Sequence, residues 1–119
     1  MASSVIPKDN GLFGNFTLIG SQKISDGSRL TFTESASHFK FIMFVISYYG
    51  SGAPAYGSLL IPDSILETLA EHISFAAANT IREPLNKYVM IRTGPQAANY
   101  VDFETDVDTN RYLVAFGIR

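Results

Sequence analysis

Three of the six tyrosines, Tyr48, Tyr49 and Tyr56, flank one glycine-rich stretch, Gly50-Ser51-Gly52-Ala53-Pro54-Ala55, and Tyr100 lies beside Asn99 and Asp102. A tyrosine offers an apolar ring and a polar tip, so such groups can stack on a sugar ring while bonding its hydroxyls. Tyr49, Tyr56, Asn99, Tyr100 and Asp102 are therefore the candidate ligand-binding residues. Packing and subunit contact are the competing roles for each ring. The run from Gly50 to Ala55 also fits the dinucleotide fingerprint. That motif must open a helix whose amides hold pyrophosphate, whereas here Pro54 is followed by Tyr56-Gly57 and a strand-like run. A glycine-rich loop between strands is the reading that fits.

Asp106, Asp108 and Asn110 imitate the opening of a calcium loop, but Arg111 stands where the turn needs Gly and Gly117 where a bidentate Glu must close it. No EF-hand forms from these residues, and no metal site is assigned. Asp102 and Glu104 project from one strand face about 7 Å apart, a spacing that paired carboxylates for glycoside cleavage would tolerate. Exposed acidic residues on strands take that spacing routinely, so no catalytic residue is assigned and the chain is not expected to be an enzyme. His38 and His72, the only histidines, sit in no metal-ligand spacing and beside no nucleophile motif. No cofactor is implied.

The elements that must position these groups are short strands. Residues 1–11 lack a periodic apolar face and read as an arm or linker, leaving 12–119 as a single domain. Asn15-Phe16-Thr17 matches the glycosylation pattern but reads as an ordinary strand triplet. A strand over 15–24, a turn at Asp26-Gly27 and a second strand at 29–33 predict a hairpin, with Leu30 and Phe32 facing the core. Phe41-Ile42-Met43-Phe44-Val45-Ile46 is apolar without alternation, so both of its faces should be covered, the second by another sheet, a loop or another subunit. Ser58 to Ile61 returns as a short strand stopped by Pro62. Ser64 and Glu67 form a capping-box pattern for a short helix, and a strand through Ile73, Phe75 and Ala77 follows. Strands at 87–93, 99–105 and 111–118 complete seven or eight. The expected fold is all-β: an antiparallel β-sandwich, jelly-roll-like, with one short helix.

Composition excludes several classes. The sequence is 46% hydrophobic and 17% charged, too apolar for a disordered segment and too interrupted by polar residues for a membrane span. Its net charge of −2 leaves no excess of Lys and Arg to bind nucleic acid or an anionic bilayer. The absence of Cys excludes disulfides and thiolate metal sites. Residues 1–8 carry no basic stretch followed by an apolar core, so classical secretion is not indicated.

Three segments carry a family likeness: the central strand Phe39 to Ile46 after a Ser-rich turn, the short strand Leu59-Leu60-Ile61-Pro62, and the terminal strand Tyr112 to Arg119 closing with Gly117-Ile118. In their order the chain resembles the C-terminal β-sandwich modules of bacteriophage tail fibres and related virion adhesins. The resemblance implies a virion structural protein, displayed on a tail fibre or baseplate among other virion tail proteins, that binds a host-surface glycan or protein. It also implies a homotrimer. The 15 Phe and Tyr residues and the two-faced apolar strand argue for association on physical grounds, and only the resemblance favours three copies. A capsid or tail decoration protein with only virion partners, or a free carbohydrate-binding module, are the alternatives.

Overall fold

The computed structural model describes residues 16–78 and 87–119. The arm expected over 1–11 and Asn15 of the glycosylation triplet lie outside them. Within the described residues eight strands and one α-helical turn follow in order: β1 (Phe16–Lys23), β2 (Arg29–Thr31), β3 (Phe41–Ser47), β4 (Ala55–Pro62), α1 (Asp63–Leu66), β5 (His72–Ala77), β6 (Lys87–Arg92), β7 (Tyr100–Thr105) and β8 (Tyr112–Ile118). They form two four-stranded antiparallel sheets, ordered β1-β8-β3-β4 and β2-β7-β6-β5. The expected β-sandwich with one short helix is what the chain adopts.

Alternation along each strand sorts the residues between a shared core and two outer faces. Ile42, Phe44 and Ile46 of β3, Leu113 and Ala115 of β8 and Ile19 of β1 point inward. They meet Leu30 of β2, Val101 and Phe103 of β7, and Val89 and Ile91 of β6. Each fully buried aliphatic or aromatic side chain contributes roughly 1.5–3 kcal/mol. A bulge in β1 between Leu18 and Gly20 gives Ile19 its inward place.

Two local expectations are corrected. β1 and β2 do not pair as a hairpin, because β1 pairs with β8 and β2 with β7, in different sheets. The connection runs through a 3-10 turn at Ile24–Asp26, held by Ile24 N–H to the Arg111 carbonyl and Ser25 N–H to the Thr109 carbonyl, both at 2.9 Å. With Gly27 and Ser28 it is long enough to arch across the roughly 10 Å between layers. Nor does Ser64 cap the helix: α1 opens at Asp63 behind Pro62, with no side-chain cap bond. The Glu67 carboxylate instead accepts from the Ser37 hydroxyl at 3.0 Å.

The sheets are also tied to each other at their rims. Thr33 N–H donates to the Ile19 carbonyl at 2.7 Å beside β1 and β2, and Ala78 N–H donates to the Tyr56 carbonyl at 3.0 Å beside β4 and β5. The second approach requires Gly57, where a Cβ would lie 2.5 Å from the Ala76 carbonyl oxygen.

Candidate functional site

The outer face of β2-β7-β6-β5 carries polar chemistry. Arg29 pairs with Asp102 and His72 with Arg92, while the Ile91–Phe103 pairing sets Arg92 beside Asp102. One cross-strand row therefore reads Arg29, Asp102, Arg92, His72. Arg29 grips the Asp102 carboxylate twice, through Nε at 2.8 Å and Nη2 at 3.3 Å, and its guanidinium lies 4.0 Å over the Tyr100 ring. The bond to Asp102 raises the Arg29 pKa further above its ordinary value. Glu104 lies on the same outer side, in reach of the Tyr88 hydroxyl at 3.4 Å.

Two hollows open on this face. The larger, about 420 Å³, has a floor of Arg92, Tyr100 and Asp102 and a rim from the α1 exit (Thr68, Leu69, Ala70) and the turn Thr93 to Gln96. The smaller, about 150 Å³, lies between His72, Met90, Arg92 and Glu104. Three bonds hold the two rim segments together. Gly94 N–H donates to the Leu66 carbonyl at 3.0 Å, Thr93 N–H to the Glu71 carbonyl at 3.0 Å, and the Thr93 hydroxyl to the Leu69 carbonyl at 3.1 Å. Gly94 has φ +123°, in the region open to glycine, which lets the turn enter its 3-10 segment Pro95–Ala98. Asn99 ends that segment, and its carbonyl accepts from Phe32 N–H at 2.9 Å.

The other candidates lie elsewhere. The loop after β3 folds back over the outer face of β1-β8-β3-β4. A Cβ at Gly52, where φ is +90°, would meet the Phe116 ring at 2.7 Å, so this approach depends on glycine, and one at Gly50 would meet the Ser21 hydroxyl at 2.9 Å. Tyr49 is 62% exposed on this loop. Tyr56 is buried, edge-on to Tyr48 with ring centroids 5.0 Å apart, and burial raises the pKa of its hydroxyl. Arg111 lies 3.7 Å over the other ring of that pair, Tyr48. Tyr100 and Asp102 thus share a site with each other and with Asn99 nearby, whereas Tyr49 and Tyr56 belong to a separate aromatic cluster on the opposite sheet.

That opposite outer face is apolar. Register places Phe16, Ile118, Phe41 and Pro62 in one row across all four strands, and Leu18, Phe116, Met43 and Leu60 in the next. Leu18 is 48% exposed, Phe41 39% and Leu60 56%. Val45 and Val114, in the following row, are buried at the end to which the glycine-rich loop returns. The second face of β3 is consequently covered at one end and open at the other.

Among the described residues no group of three or more His, Asp or Glu could hold a metal ion, and no helix is long and apolar enough to cross a membrane. Asp106 of the calcium-like run accepts from Tyr88 N–H at 2.8 Å, and Asn110 from Arg111 at 2.7 Å. No family model, no curated protein and no solved structure matches this chain. Arg29, Arg92, His72 and Gln96 were not singled out by sequence as site residues. Alternation makes the three strand residues outward-facing, but only the pairing register brings them into one row.

Proposed function

We propose that this chain is a bacteriophage virion adhesion module, of the distal tail-fibre or baseplate kind, that acts by binding rather than by catalysis. It associates as a homotrimer through the apolar outer face of β1-β8-β3-β4 and presents the polar outer face of β2-β7-β6-β5 to a host-surface glycan or protein. The observation that carries the reading is the opposition of those faces on one small sandwich. A surface crossed by two complete apolar rows is a feature of association surfaces. A concave site with an aromatic ring and convergent polar groups is the ordinary form of a ligand site. The sequence resemblance to tail-fibre modules supports the virion setting and the copy number.

Light scattering and glycan-array binding on the wild-type chain and Leu60→Glu test it. Wild type is expected at three times 13.1 kDa with measurable array binding, and Leu60→Glu at 13.1 kDa with binding weakened by ten-fold or more through lost multivalency. A monomeric wild type overturns the trimer, and an array with no hit overturns glycan binding and leaves only a protein receptor.

A further inference from the structure

The groups lining the larger hollow differ in what they still have to offer a ligand. Asp102 is engaged twice by Arg29, so its charge is already answered. One face of Tyr100 lies under the same guanidinium. The Gln96 amide nitrogen donates to the Thr93 carbonyl at 2.8 Å, which leaves its oxygen as an acceptor. The Thr68 hydroxyl donates to the Ser64 carbonyl at 2.6 Å, which leaves its lone pairs. Arg92 is the contrast: it lines both hollows, and its side chain makes no hydrogen bond or ion pair with any described residue. Its planar fork of N–H donors matches a carboxylate or phosphate in two parallel bonds.

The open inventory is thus one cationic fork beside acceptors suited to hydroxyl donors. A neutral sugar would satisfy the acceptors and leave the charge of the exposed Arg92 to water, whereas an anion pairs with its fork in a charge-assisted bond. From this we infer that the hollow takes a saccharide bearing an anionic substituent, a carboxylate or a phosphate, with Arg92 as the partner of the anion and Gln96 and Thr68 accepting from ring hydroxyls. This rests on the adhesion reading and specifies the chemistry of its ligand. A volume of about 420 Å³ lies within the range of small-ligand sites.

Amide chemical-shift titration of the full chain, in a buffer free of phosphate, tests the inference with three probes: a galacturonic acid trisaccharide, the neutral galactose trisaccharide and galactose 6-phosphate. An anionic probe is expected to shift resonances at 68–70 and 92–96 and to bind at least ten-fold tighter than the neutral trisaccharide. Comparing the two anionic probes distinguishes carboxylate from phosphate. Arg92→Gln should abolish the preference, Arg92→Lys should keep part of it, and added salt should erode it. Equal binding of neutral and acidic trisaccharides, or an anion preference that survives Arg92→Gln, overturns the inference and leaves a glycan-binding face standing. Silence from all three probes overturns the inference, and a blank glycan array for the same preparation then overturns glycan adhesion as well.

Discussion

On one side of the molecule the cross-strand row Leu18–Phe116–Met43–Leu60 is apolar from edge to edge; on the other, the row Arg29–Asp102–Arg92–His72 is ionic or polar from edge to edge. The two sheets contribute the same kind of side chain to the core between them. Fold stability therefore depends on the inner residues of both sheets, and the outer residues are left to differ. The apolar sheet has strands whose two faces are both hydrophobic, as β3 is, while the polar sheet has alternating strands such as β7, Tyr-Val-Asp-Phe-Glu-Thr. Two sequence grammars, continuous and alternating, here mark the difference between a face suited to protein contact and one suited to water and polar ligands.

The sharpest way to break the comparison is to move one charge across β3. Phe44→Asp places an unpaired carboxylate in the core, where Phe44 is fully buried, and should abolish the cooperative unfolding transition, a loss of ~4 kcal/mol or more. Phe41→Asp, on the outer side of the same strand, should leave a folded chain with a loss below ~1 kcal/mol when measured at a concentration where the chain is monomeric. Circular dichroism during thermal and urea unfolding reads both. Similar losses in the two variants would mean that the inner and outer faces are not distinct.

A smaller effect is expected at Asp63, where the end of the apolar sheet passes into the turn that rims the polar hollow. Asp63 is nearly buried, its Oδ1 has no hydrogen-bond partner, and burial together with the Glu67 carboxyl raises its pKa to about 7 from 3.8. Between these values the folded state holds a proton that the unfolded state has lost, so stability should fall as pH rises from 4 to 7 and level off above it. Asp63→Asn should flatten that decline and gain about 1–2 kcal/mol at pH 8. This is less than full linkage gives, because Glu67 keeps one side of the pair partly in water. Urea melts across pH check it, and a wild type whose stability rises between pH 4 and 7 would contradict the assignment.

The smallest effect concerns the polar row itself. Arg29 and Asp102 are about half exposed, so Arg29→Gln should lower the unfolding midpoint only slightly, with the difference shrinking in high salt. Its unfolding midpoint in low and high salt makes the measurement. A cost independent of salt would assign the role of Arg29 to its stacking on Tyr100 instead.

Strand identity was legible in the sequence wherever a residue's own pattern carried it. The uninterrupted run 41–46, the inward Leu30 and Phe32, and the alternation of Ile73, Phe75 and Ala77 all appear as read. Pairing was less legible. Asp26-Gly27 favours a turn, but the turn residues do not say whether the next strand lies beside the first or across the core from it. The site was half legible for the same reason: Tyr100 and Asp102 sit three positions from Asn99 or fewer, whereas Arg29 and Arg92 reach them only through long-range register. Glu67 shows a motif diverted by tertiary contact, since Ser37, 30 residues away, takes the bond a capping box would have used.

Gly57 has a bearing on how such molecules can assemble. By allowing β4 to come against β5, with Ala78 bonded to Tyr56, it occupies backbone at an edge that would otherwise be open to a neighbouring chain, and Thr33 does the same for Ile19 at the opposite rim. Growth by adding strand to strand, the route that leads small β-domains into fibrils, is hindered on both sides. The broad outer faces are what such protected rims leave open to contact. A bulkier residue at 57 would therefore threaten more than local packing: it would reopen a seam to open-ended strand addition.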